Sequence, residues 1–138
     1  MNRQDAETAK REPSEDLDRC ARRVIGAAIE VHRRLGPGFV ETVYERAMLV
    51  ELEHAGLTVR CQVMVPIVYR DMAIAEARLD LLVEDELVVE LKAVDALSQI
   101  HRAQLFSYLK AGAFQLGLLI NFNVPVLRDG VRRVIWTR

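Results

Sequence analysis

The segment Leu79–Ala93, LDLLVEDELVVELKA, sets Asp80, Glu90 and Lys92 into an otherwise apolar stretch of chain. If the chain turns at Asp85, with Glu84 and Glu86 beside it at the tip, Asp80 comes opposite Glu90 and Arg78 opposite Lys92. Cβ atoms paired across such a hairpin are about 5 Å apart. Side chains alternate along a strand, so Leu79, Leu81, Val83, Leu87, Val89 and Leu91 form one apolar face. The other face carries Leu82 and Val88 near the turn, then the four charged residues. Opposed carboxylates destabilise a sheet, and half-burial pushes at least one of them toward its neutral form unless a cation joins them. A divalent ion removes the conflict, and Mg²⁺ takes one or two carboxylates together with waters and a substrate phosphate. Lys92 is then placed to orient or deprotonate a water and to screen the phosphate. Such a set suits metal-assisted phosphodiester hydrolysis. The competing reading is an Arg78–Asp80–Glu90–Lys92 ion network at an exposed hairpin end.

Two further stretches could serve the same chemistry. In HRAQLFSY, Gln104 and Tyr108 are four apart and His101 precedes Gln104 by three, so all three can share one helix face. An amide, a phenol and an imidazole there could hold a nucleotide or the lysine, or simply form a solvated stripe. In GFVETVY, Gly38, Glu41 and Tyr44 follow at intervals of three. Glu41 in the first turn of a helix compensates the helix dipole. It could also serve as a third carboxylate at the ion. Tyr44 suits packing as well as substrate support.

The elements that must position these residues follow from periodicity. Ser14 caps a helix with Glu15, Asp16 and Asp18 in its first turn. Its apolar stripe is Leu17, Ala21, Val24, Ala28, Val31 and Leu35, and Gly36 stops it. After the Gly36-Pro37-Gly38 connector a second helix spans 39–54. Valine-rich residues 57–69 read as a strand, with Pro66 marking an edge or a bulge. The hairpin follows, then a helix over 98–111, a buried strand over 115–122, and a last strand over 131–136 after the Asp129-Gly130 turn. The order ααβββαββ implies an α/β fold, a mixed β-sheet flanked by helices. Residues 1–13 read as a flexible tail and 14–138 as a single domain.

Composition narrows the function. The chain of 138 residues has 51% hydrophobic and 28% charged residues and a net charge of −1, an ordinary globular balance. A uniformly basic nucleic-acid coat is excluded, though a local basic patch is not. Lys10, Lys92 and Lys110 are the lysines among 19 basic residues, which makes an ammonium inside a strand conspicuous. Cys20 and Cys61 have no metal-ligand or redox spacing and suit a reducing cytoplasm. The run LGLLINFNVPVL is too short to cross a bilayer, so no membrane association is expected.

Taken together, Gly38-x-x-Glu41-x-x-Tyr44, the LDLLVEDELVVELKA hairpin, the His101-x-x-Gln104 pair before Tyr108 and the LGLLINF strand resemble the GxxExxY protein family of the PD-(D/E)XK nuclease superfamily. The resemblance covers roughly residues 17–136. It implies a restriction-endonuclease-like core in which Asp80 and Glu90 bind metal and Lys92 is the catalytic lysine. It further implies that Glu41 is the helical acid and that the Leu91 carbonyl adds a ligand. Gln104 and Tyr108 resemble the QxxxY motif of RecB-type exonucleases, which implies DNA as the nucleic-acid partner and exonuclease-like action. Where the family commonly has a glycine before the hairpin aspartate, this chain has Ala75-Glu76-Ala77-Arg78. Mg²⁺ is the implied cofactor, with Mn²⁺ able to substitute, and no iron–sulfur cluster is expected because its four cysteines have no counterpart. The other reading is a catalytically silent nucleic-acid-binding or protein-assembly module on the same fold. Its arginine pairs (Arg22 and Arg23, Arg33 and Arg34, Arg132 and Arg133) would serve a partner or a homodimer.

Overall fold

A computed structural model describes residues 12–138. Helices α1 (Glu15–Leu35) and α2 (Glu41–His54) precede strands β1 (Val59–Tyr69), β2 (Met72–Val83) and β3 (Leu87–Lys92). Helix α3 (Gln99–Gly112), strand β4 (Leu116–Asn121), a short 3₁₀ turn (Leu127–Gly130) and strand β5 (Val131–Ile135) complete the order. This is the expected ααβββαββ succession. The five strands lie in the order β1-β2-β3-β4-β5. Among the described residues only β3 and β4 run parallel, so α3 is the crossover their parallel pairing requires.

Helix α1 starts where the sequence places it: the Ser14 hydroxyl accepts the Leu17 N–H at 3.1 Å. It ends at Gly36, whose φ of 71° is costly for a residue with a Cβ. Its stripe of Leu17, Ala21, Val24, Ala28 and Val31 is buried against Tyr44, Met48 and Leu52 of α2 and one face of the sheet. That face presents Leu81, Val83, Leu87, Val89 and Leu91, then Leu116, Leu118 and Ile120. The opposite face packs Leu82, Val88 and Leu119 against Leu105 and Leu109 of α3. A Cβ on Gly117 would stand 3.0 Å from Leu105, so this glycine lets α3 settle closely on β4. Each fully buried leucine contributes about 1.5–3 kcal/mol, which makes the two apolar layers the source of stability. No helix among the described residues is long and apolar enough to cross a membrane.

Three expectations are corrected. The tail read over residues 1–13 lies outside the described residues up to residue 11, but Pro13 is buried and the Glu12 carbonyl accepts a hydrogen bond from Gln115, so both belong to the fold. Strand β2 begins at Met72, well before Leu79, because residues 72–79 pair along β1 through a turn at Arg70 and Asp71. Both turn residues have positive φ, 48° and 63°, the conformation that matches the twist of a tight hairpin.

The third correction touches the site. Leu79 does not join the face of Leu81 and Val83. It packs with Leu82 and Val88 beneath α3. The β1–β2 register is the same on either side, with Cys61 opposite Leu81 and Val63 opposite Leu79, yet the pair between them, Gln62 and Asp80, is missing from the ladder. Gln62 has a φ of 55°. This left-handed residue reverses the facing of the strands, so Val63, Val65 and Leu79 turn toward α3. Pro66 lies in β1, an edge strand with a register shift between Ile67 and Val68, as expected of proline in a sheet.

Candidate functional site

The β2–β3 ladder consists of three pairs, Leu81–Val89, Leu82–Val88 and Val83–Leu87, in the register that a turn at Asp85 dictates. Beyond Leu81 side chains take over from backbone. The Asp80 N–H donates to Glu90 Oε1 at 3.2 Å, and the Leu91 N–H donates to Asp80 Oδ2 at 2.9 Å. The two carboxyl groups therefore stand together where the strands part. Glu90 is 5% exposed and Asp80 is half-buried.

Burial, and then the negative charge of Asp80, pushes the Glu90 carboxyl up to about 9. Asp80 is raised as well, chiefly by burial, while its bonds to Leu91 and Glu90 pull the other way. Burial thus holds both carboxyl groups toward their neutral forms, Glu90 with the added repulsion of Asp80. Lys92 is half-exposed and its charge favours ionisation of both acids, yet it comes within ion-pair distance of neither. The alternative four-residue ion network is absent among the described residues. Arg78 pairs across β1 with Met64, and the strands diverge before it can stand opposite Lys92.

The helical candidates fall into place unequally. Glu41 opens α2 and its Oε1 accepts the Ala93 N–H at 3.4 Å, which sets it at the end of β3, one residue past Lys92. Tyr44 is fully buried. Its hydroxyl donates to the Gly36 carbonyl at 2.6 Å and accepts the Phe39 N–H at 3.2 Å, and its ring stacks on Phe122 with centroids 4.4 Å apart. Tyr44 therefore ties the connector to the start of α2 from behind and does not reach solvent. His101 Nδ1 accepts the Ser98 N–H at 3.1 Å, a cap on α3. Tyr108 packs partly buried against the layer of Leu79, Leu82 and Val88, and its phenol is raised first by burial, then by the charges of Glu90 and Asp80. Gln104 is exposed one turn earlier and makes no hydrogen bond to the site among the described residues.

Three residues escaped the sequence reading. Glu45, one turn beyond Glu41, is the acid on α2 whose charge reaches Asp80. Its Oε1 accepts the Gln62 side-chain amide at 2.9 Å, so the kinked residue of β1 also holds this carboxylate. A carboxylate four residues after Glu41 was a signal in the sequence, but only the docking of α2 on β1 selects it. Buried Asn121 is the third. Its Oδ1 accepts the Val94 and Asn123 N–H groups at 3.0 and 3.2 Å, and its Nδ2 donates to the Val94 carbonyl at 2.9 Å. Asn121 thereby clamps the chain that leaves Lys92.

Two adjacent acids, Glu90 buried and Asp80 half-buried, match the donor set of a hard divalent ion that keeps several waters. Among the described residues no group of three or more His, Cys, Asp and Glu is gathered closely enough to form a closed metal cage. The fit is that of an open two-carboxylate site. Such a site at the parting of two strands of a mixed five-stranded sheet, with helices on both faces, defines a restriction-endonuclease-like domain. A family model of the PD-(D/E)XK nuclease superfamily matches residues 18–134, and the chain belongs to that superfamily. Neither the curated proteins nor the solved structures contain a match.

Proposed function

We propose that this domain is a divalent-metal-dependent nuclease of the GxxExxY branch that hydrolyses phosphodiester bonds, with DNA favoured and an exonuclease-like mode of attack. The observation that carries the reading is the juxtaposition of the Asp80 and Glu90 carboxyl groups in a largely buried site where β2 and β3 part, a conflict that a cation would relieve. Asp80, Glu90 and the Leu91 carbonyl would hold Mg²⁺ or Mn²⁺, with Glu41 or Glu45 reaching it through water. When bound, the ion supplies charge stabilisation for the pentacovalent phosphate and the leaving oxygen.

The chain's own residues do the rest. Lys92, clamped at its strand end by Asn121, orients the attacking water and screens the phosphate. Tyr108, on α3, steadies the lysine or the strand, and Gln104 extends that contact in the manner of a QxxxY pair. His101 assists by fixing the start of the helix and Tyr44 by fixing the start of α2. A cytoplasmic setting agrees with the two free cysteines, Cys20 buried and Cys61 exposed.

The test is thermal unfolding with and without Mg²⁺ or Mn²⁺, beside time courses of cleavage on linear, nicked and single-stranded substrates. The expected result is a melting temperature that rises as metal passes its Kd, and cleavage that Lys92→Ala lowers by about 10² or more. A rise without cleavage of any DNA or RNA would reduce the domain to metal binding. No rise would favour the silent assembly module.

A further inference from the structure

Beside the acid pair, between α2 and the kinked part of β1–β2, runs an open groove of about 510 Å³ lined by Thr42, Glu45, Arg46, Cys61, Gln62 and Arg78. This is within the size range of ligand clefts, about 300–1,000 Å³. Arg46 and Arg78 are both exposed, and among the described residues neither has an ion-pair or hydrogen-bond partner. Arg22 and Arg128 are exposed and unpaired among the described residues as well, but neither lines this groove, and several other arginines are committed. Arg33 and Arg34 share Glu30 at 2.7 and 2.6 Å, Arg60 meets Asp85 at 3.0 Å, and Arg133 meets Asp18 at 2.7 Å. The acid of the groove, Glu45, is tied to Gln62, and its charge is felt at Asp80.

Two uncommitted guanidiniums beside a hydroxyl and an amide complement phosphate diesters, and the groove neighbours the acids: Arg78 lies two residues before Asp80 on β2, and Gln62 stands across from Asp80 on β1. We propose that it is the track of the nucleic-acid strand, with Arg46 and Arg78 each neutralising a backbone phosphate next to the one that is cut. This rests on the nuclease reading and adds to it the path of the strand beyond the acids, along α2. Because the contacts are to backbone phosphates, the groove contributes affinity without sequence preference.

The test is fluorescence anisotropy of labelled single-stranded and duplex oligonucleotides across a salt series, on the full chain carrying Lys92→Ala so that the strand stays intact. Each neutralised phosphate contributes about 0.7 (single strand) or 0.9 (duplex) to the slope of log K against log salt. Arg46→Ala with Arg78→Ala should therefore flatten the slope by about 1.4 or 1.8. Arg46→Lys with Arg78→Lys should keep the slope, and Arg33→Ala with Arg34→Ala should leave it unchanged. Exposed Cys61 gives an independent readout: a bulky neutral maleimide on it should block binding, whereas Cys61→Ser treated alike should bind normally. An unchanged slope in the double alanine variant, or normal binding by the labelled protein, would overturn the groove. A parent chain with intact Lys92 that cuts nucleic acid despite either result would retain the nuclease reading and lose only this track. A parent chain that neither binds nor cuts any strand would sink both.

Discussion

The β2–β3 hairpin has two ends that obey different physics. At the turn end, Leu81, Leu82 and Val83 pair regularly with Val89, Val88 and Leu87, and all six are buried. At the other end the strands part, and carboxylates accept the main-chain N–H groups of Asp80 and Leu91. The turn end is satisfied by apolar burial and ladder bonds. The open end burdens the fold with two adjacent acids in a largely buried site, and natural proteins concentrate such conflicts at functional sites. Stability and chemistry are thus divided along a single hairpin, and substitutions at its two ends should separate them.

The largest contrast is expected in cleavage. Glu90→Gln should lower cleavage by at least about 10², the order that loss of one electrostatic group costs, and should erase the metal-dependent rise in melting temperature. The fold should remain, since a neutral amide replaces a carboxyl that is already protonated. At the turn end, Leu81→Ala should cost about 2–5 kcal/mol in denaturant unfolding while the metal-dependent rise persists. If Leu81→Ala abolished the metal effect at a temperature where it remained folded, the division between the ends would be wrong.

A smaller effect concerns pH. The Glu90 carboxyl titrates at about 9 in the folded chain against 4.5 in the unfolded one. The folded state therefore holds a proton that the unfolded chain releases, so this contribution is fully present below about 4.5 and is lost as pH rises toward about 9. The metal-free melting temperature should fall across that window, and Glu90→Gln should flatten the fall. Added Mn²⁺ must displace the proton, so its stabilising effect should grow with pH. The smallest effect belongs behind the site. Tyr44→Phe removes a hydrogen bond to the Gly36 carbonyl and should cost about 0.5–1.5 kcal/mol, with cleavage lowered less than by Lys92→Ala.

Local rules made much of the molecule legible. The Ser14 cap, the stripe of α1, the Gly36 stop and the register set by Asp85 all depend on residues within a few positions of one another. For that reason the sequence alone brought Asp80 beside Glu90 and set Lys92 on the same strand. What lay beyond it depended on which elements dock together. Leu79 was assigned to the wrong face because alternation assumes a regular strand, and the left-handed Gln62 that breaks it sits on the neighbouring strand. Spacing leaves His101 and Tyr44 open to site support, a solvated stripe or packing, and only the folded chain shows the hydrogen bonds by which they cap α3 and fasten the connector. Glu45, the clamp at Asn121 and the unpaired guanidiniums of Arg46 and Arg78 acquire meaning only when α2 lies across β1 and β2. The sequence determined which residues can form each element and how one hairpin aligns its charges, because those are short-range effects of sterics and pairing. The tertiary structure decided which acids meet, which arginines are left uncommitted and which side of the sheet opens, because those follow from packing between segments far apart in the chain.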